Sequence, residues 1–205
     1  DIQDRRFISK FAVYHQRYST NTFPTWSLAQ PFRVIAHNGE INTLKGNKNW
    51  MAAHEPRMRH ANFENNIEDL KPIIDSNASD SAALDATIEL LVRSNRSLPM
   101  AKLITIPEAF AHRRDFSKKL KDLYAYANAV MESWDGPAAI CGVHEDWAIA
   151  GMDRNGLRPI RYTLTKDFLV AGSETGMVDI EESEIIEKGR VGPGQMIALN
   201  FHEGK

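Results

Sequence analysis

Arg17, Asn38 and Gly39 are the residues whose types and settings could do chemistry. The Arg17 guanidinium is a planar fork of donors that matches a carboxylate through two parallel bonds. Asn38 offers a side-chain amide N–H, and Gly39, lacking a Cβ, lets its own backbone N–H approach a bound group closely. An amide N–H beside a glycine N–H can stabilise the oxyanion of acyl transfer. The plain alternative is a surface ion pair at Arg17 and a hairpin turn of the Asn-Gly type at 38–39. Spacing alone leaves both readings open.

The surrounding elements must position these groups. Arg17 lies in His15-Gln16-Arg17-Tyr18-Ser19-Thr20, after the strand-like run Phe11-Ala12-Val13-Tyr14. Asn38 lies in His37-Asn38-Gly39-Glu40-Ile41-Asn42, after a second such run, Phe32 to Ala36. Each cluster is therefore expected at a strand end, where a sheet holds polar groups in place. Further on, Ser79-Asp80-Ser81 opens a helix whose Ala83, Leu84, Thr87, Ile88, Leu91 and Val92 recur at helical spacing. Asp80 has two readings, an N-cap contributing about 1 kcal/mol or a carboxylate for a substrate ammonium.

Between these landmarks, Leu44 to His60 reads as a helix or irregular segment packing Trp50 and Met51 inward, and Asn62 to Pro72 as an acidic surface loop. A short helix is expected over Leu98 to Arg114, broken at Pro107. Phe116, Leu120, Leu123, Tyr124, Ala127, Val130, Met131 and Trp134 form a longer stripe that belongs to a core. From Ala138 the period turns to strands: Ala138–Val143, Trp147–Gly151, Ile160–Leu164, Phe168–Ala171, Ile185–Lys188 and Met196–Leu199. The pattern predicts one α+β domain over residues 1–205, antiparallel sheet with helices on its outer faces. Asp153 to Pro159 reads as a turn with Asp153 paired to Arg158. Gly189, Gly192 and Gly194 open no helix and so match no nucleotide fingerprint.

Composition narrows the function classes. A net charge of −2 gives no electrostatic case for nucleic acid or an anionic membrane, and no apolar run is long enough for a membrane span. The single cysteine excludes an internal disulfide and suits a reducing, cytoplasmic setting. None of the seven histidines has ligand spacing with a third partner, so no metal site is expected.

The paired text from His15 to Thr20 and from His37 to Asn42 resembles the signature of class II glutamine amidotransferases, which are N-terminal-nucleophile hydrolases. Thr20 to Trp26, Leu28 to Phe32 and Gly46 to Trp50 resemble, more narrowly, the glutaminase domain of the glutamate synthase large subunit. The resemblance implies a two-sheet αββα sandwich. It also implies L-glutamine as substrate, bound by Arg17, Ser19, Thr20, His37 and Asp80, with Asn38 and Gly39 as the oxyanion hole. The parent enzyme would carry FMN and an iron–sulfur cluster on its remaining domains. It would also take electrons through a reductase subunit or ferredoxin.

Acyl transfer needs a nucleophile. In the family this is a cysteine at the mature N-terminus whose own α-amine serves as base, and no cysteine precedes His15 here. The chain is therefore expected to be a fragment beginning partway into the domain. Cys141 is no substitute, because it lies in an apolar strand run and has no free α-amine. Two rivals stand beside the glutaminase. One is a binding module for glutamine or glutamate without turnover. The other is a different class II member such as phosphoribosylpyrophosphate amidotransferase, against which the segments at 20–26 and 46–50 argue.

Overall fold

The computed structural model describes residues 3–19, 22–110 and 113–203, and of Asn65 only the backbone. In chain order the elements are β1 (Ile35–Gly39), α1 (Leu44–His54), α2 (Asp80–Arg93), α3 (Leu98–Thr105), α4 (Lys118–Val130), β2 (Ala138–His144), β3 (Trp147–Met152), β4 (Arg161–Thr165), β5 (Leu169–Gly172), β6 (Ile185–Arg190) and β7 (Met196–Asn200). They form two antiparallel sheets, one ordered β1-β2-β3-β7 and one β5-β4-β6.

Period-2 alternation builds two separate cores from the same strands. Ile35 of β1, Ala138 and Ile140 of β2, and Ile149 of β3 face the helices, where they meet Leu84 and Ile88 of α2 and Leu98, Ala101 and Ile104 of α3. Their neighbours Ala139, Ala150 and Met152 face the other way and pack with Ile160 and Val191, which flank β4 and β6 of the second sheet. The chain is thus an α+β layering of helices, sheet and sheet, the class its patterning predicts.

The helices form where their ends are satisfied. Ser79 Oγ accepts from Ala82 N–H at 3.1 Å and caps α2, and Ser117 Oγ accepts from Leu120 N–H to cap α4. On α2 all six residues of the expected stripe are buried. Helix α3 carries Pro99 in its first turn and ends before Pro107, as the proline positions require.

Several expectations are corrected. Phe11 to Tyr14 forms no strand, and among the described residues the ladder pairing nearby is an isolated Tyr18–Ala29 bridge. Phe11 instead stacks on Phe201 with ring centroids 5.6 Å apart, and Tyr14 Oη donates to the Met177 carbonyl. Trp50 points outward, because Asn47 and Met51, four residues apart, take the inward face of α1. The acidic segment after Asn62 stays on the surface but winds into a 3-10 helix, Glu64–Leu70. Within α4 only Tyr124 and Ala127 are buried. Asp153 does not ion-pair with Arg158. Its buried carboxylate accepts backbone N–H from Ala138, Asn155, Leu157 and Arg158, while Arg154 pairs with Asp135.

Candidate functional site

Strand β1 is the platform, and helix α2 holds its beginning. The buried Asp85 carboxylate accepts three successive N–H groups, from Arg33 at 3.2 Å, Val34 at 3.0 Å and Ile35 at 2.8 Å. Burial pushes the Asp85 carboxyl above its ordinary range, and the three donors offset part of that cost. β1 lies at the edge of its sheet among the described residues, so one side of its backbone has no strand partner. The Gln30 amide fills that place at His37: it accepts from His37 N–H at 2.6 Å and donates to the His37 carbonyl at 2.9 Å. An edge strand with its open groups occupied by a side chain is fixed in place and shielded from other chains.

Asn38 and Gly39 end this strand; they do not form a hairpin turn. Gly39 has φ +153°, and a Cβ there would lie 1.8 Å from the Pro137 carbonyl oxygen. That contact lets the next segment zip onto residues 135–137, with Glu40 N–H donating to Pro137 O and Asn42 N–H to Asp135 O. Only glycine fits at this position. Alternation points His37 toward α2 and Asn38 toward the second sheet, where Asn38 Nδ2 donates to Ser173 Oγ at 3.0 Å.

Asp80 stands at the first turn of α2. One carboxylate oxygen accepts from Ile41 N–H at 2.8 Å, and the other accepts from Ser81 N–H at 2.7 Å and the Ser81 hydroxyl at 3.3 Å. Capping falls to Ser79, which leaves the half-buried Asp80 to bind the segment after Asn38. Behind Asp80, His37 Nδ1 lies 2.7 Å from Ser81 Oγ. Ser81 thus bridges His37 Nδ1 and the Asp80 carboxylate, the imidazole tautomer setting which of His37 and Ser81 donates, and His37 Nε2 is buried. Burial holds the His37 imidazole below the ordinary histidine range despite the Asp80 charge, so it is neutral at pH 7.

The first cluster is arranged more loosely. Arg17 is exposed, and its backbone N–H and carbonyl both meet His15 Nδ1. Ser19 is buried and accepts from the Ser79 hydroxyl at 3.1 Å, which ties this segment to the cap of α2. Thr20 lies outside the described residues. Cys141 sits mid-strand in β2, opposite Ala36, and donates to the Ala171 carbonyl at 3.7 Å. Burial raises its thiol to about 11, so it carries almost no thiolate at neutral pH. No three His, Cys, Asp or Glu among the described residues are grouped to hold a metal ion.

Asp85, Gln30 and Ser173 are the supports that the sequence does not announce. Asp85 lies within an amphipathic helix, Gln30 between two prolines' neighbourhoods, and Ser173 is 135 positions from Asn38. Only the turn residues Gly172 and Ser173 after an apolar run hint at a strand end near a site.

The chain as a whole, residues 1–205, matches the family model described as "Glutamine amidotransferases class-II". It is 56% identical over 206 residues to the glutamate synthase [NADPH] large chain of Azospirillum brasilense, covering 100% of this chain and 14% of that protein. It is 47% identical to the ferredoxin-dependent glutamate synthase of Pyropia yezoensis over 208 residues, with the same coverages. The chain therefore spans about one-seventh of the length of these curated relatives. Among solved structures it is similar, with TM-score 0.51 and 22% identity, to the allosteric regulatory enzyme of purine biosynthesis, covering 93% of this chain and 33% of that one. A second likeness, with TM-score 0.50 and 22% identity, is to the glutamine phosphoribosylpyrophosphate amidotransferase of B. subtilis, covering 93% and 32%. At that identity the likeness shows the fold, the two-sheet architecture of N-terminal-nucleophile amidotransferases.

Proposed function

The chain belongs to the class II glutamine amidotransferases, and from that membership we propose that it forms the glutamine-binding and oxyanion-stabilising part of a glutamate synthase glutaminase. The observation that carries this reading is the joint placement of Asn38, Gly39 and Asp80. Asp80, on α2, binds Ile41 N–H, three residues beyond Asn38, which supports a carboxylate for the ammonium held beside the segment that carries the oxyanion donor. L-Glutamine would present its amino group to Asp80 and its α-carboxylate to Arg17. Ser19 would line the approach, and neutral His37 would hold Asp80 through Ser81.

In this reading a cysteine thiolate, contributed by polypeptide outside these 205 residues, attacks the side-chain amide carbon. The carbonyl π-electrons move to oxygen, where Asn38 Nδ2–H and Gly39 N–H stabilise the negative charge. One such donor contributes about 3–4 kcal/mol in comparable sites. The C–N bond then breaks with protonation of nitrogen, ammonia leaves, and water hydrolyses the thioester to glutamate. The parent enzyme would pass ammonia to 2-oxoglutarate on another domain. Residues 1–205 supply too few cysteines for an iron–sulfur cluster, which, with the FMN that the resemblance implies, would sit on those other domains. The relatives' names specify NADPH or ferredoxin at comparable identity over this chain, as expected if the reductase subunit or ferredoxin docks elsewhere. With its lone reduced cysteine the protein is assigned to the cytoplasm.

The test is ammonia release from L-glutamine by the longer polypeptide that includes this chain. Asp80→Asn removes the charge while keeping one acceptor oxygen, for either Ile41 N–H or Ser81 N–H, and is expected to raise KM roughly tenfold or more, with kcat less affected. An unchanged KM would remove Asp80 from substrate binding. Glutamine binding without any ammonia release would favour the non-catalytic module.

A further inference from the structure

Nδ2 of an asparagine carries two hydrogens, and at Asn38 one of them is already committed. It donates to Ser173 Oγ at 3.0 Å, and among the described residues no other side chain holds this amide. Ser173 is the first residue after β5, so the bond crosses from one sheet to the other. Its seat is fixed independently of Asn38. Two residues earlier, the Ala171 carbonyl accepts from Cys141 Sγ of the facing sheet. Gly172 lies directly under Met177, where a Cβ would fall 2.2 Å from the methionine methyl, and Tyr14 holds the Met177 carbonyl at 3.1 Å.

We propose that Ser173 is a positioning residue for acyl transfer, its hydroxyl fixing the Asn38 amide so that the second N–H faces the developing oxyanion. The inference rests on the glutaminase reading above. Its physical ground is the softness of the asparagine χ2 torsion, which is broad and roughly two-fold. An untethered amide presents its carbonyl oxygen, an acceptor that repels an oxyanion, as readily as its N–H. The bond to Ser173 Oγ fixes the plane of the amide and, with the nitrogen seated there, directs the second N–H away from Ser173. The second sheet then contributes to catalysis without touching substrate, since a donor that needs no reorganisation during reaction is worth most.

The experiment measures kcat and KM for ammonia release by the longer polypeptide carrying Ser173→Ala, Ser173→Cys, Ser173→Thr, Asn38→Ala and the Asn38→Ala/Ser173→Ala pair. Ser173→Ala is expected to lower kcat roughly ten- to a hundredfold with KM changed less than about threefold. Ser173→Cys, almost the same shape but a weak acceptor, should lose as much, which separates positioning from packing. Ser173→Thr, which keeps the hydroxyl, should restore most of the rate. The double variant should be no slower than Asn38→Ala alone, because Ser173 acts only through that amide. Wild-type kcat in Ser173→Ala or Ser173→Cys beside an impaired Asn38→Ala overturns this inference and leaves the glutaminase reading standing. A double variant slower by the product of the two single losses also overturns it. Wild-type kcat in Asn38→Ala overturns both.

Discussion

At the scale of single residues, burial decides which groups are charged and which are available for chemistry. Cys141 is held as a thiol and His37 as a neutral imidazole by the same desolvation. At Asp153 burial also raises the carboxyl, but four backbone N–H donors outweigh it and hold the group below its ordinary range. Lys102 is the extreme case. Fully buried on α3, it donates to the Gly194 carbonyl at 2.6 Å and the Ile106 carbonyl at 3.3 Å. Burial lowers its pKa from an ordinary 10.5 to about 8, although Glu108 and Asp153 oppose the shift. Through that interval the unfolded chain holds more protons than the folded one, so stability rises with pH. Below it the protein carries the whole cost of the buried charge, up to about 3 kcal/mol. Relative to Lys102→Met, the wild type should therefore gain stability as pH rises from about 8 toward 10.5, measured by urea unfolding across that range. Parallel profiles for the two proteins would refute a depressed lysine.

At the scale of elements, the site is a strand clamped to a helix. Asp85 gathers the three N–H groups that lead into β1, and Asp80, five residues earlier on α2, gathers the one that follows it. Asp85→Ala leaves three inward N–H groups with no acceptor, and should cost about 3 kcal/mol in urea unfolding. It should also lower kcat, because Asn38 rides on the slackened strand. A stability within about 0.5 kcal/mol of wild type would show that β1 is held from elsewhere. The elements themselves were largely legible. All six late strands appear within two residues of their expected ends, because alternation and turn residues are local signals. Phe11 to Tyr14 misled for the opposite reason: strand composition forms a strand only where a neighbouring backbone is available. Asn38, Gly39 and Asp80 are singled out by motif text. Their hydrogen-bond partners Asp85, Gln30 and Ser173 are not, since each acts across a fold-made contact that leaves no periodicity or spacing.

At the scale of the molecule, two sheets share one task. The helix-facing sheet carries Asn38, Gly39 and the Asp80 contact, and the second sheet supplies Ser173 to the same amide. Small residues at the interface, Ala139 and Ala150 on one side and Ala171 on the other, let the sheets come close enough for that bond. The central claim is that this junction is built for an oxyanion and binds the ground state much less selectively. The most direct measurement compares two ligands on the longer polypeptide: L-glutamate, and the aldehyde analogue of glutamine, which a cysteine converts to a tetrahedral adduct. Asn38→Ala should weaken the aldehyde roughly a hundred- to a thousandfold while changing glutamate affinity less than about threefold. Equal losses for both ligands, or none for the aldehyde, would contradict the assignment of Asn38 as the oxyanion donor.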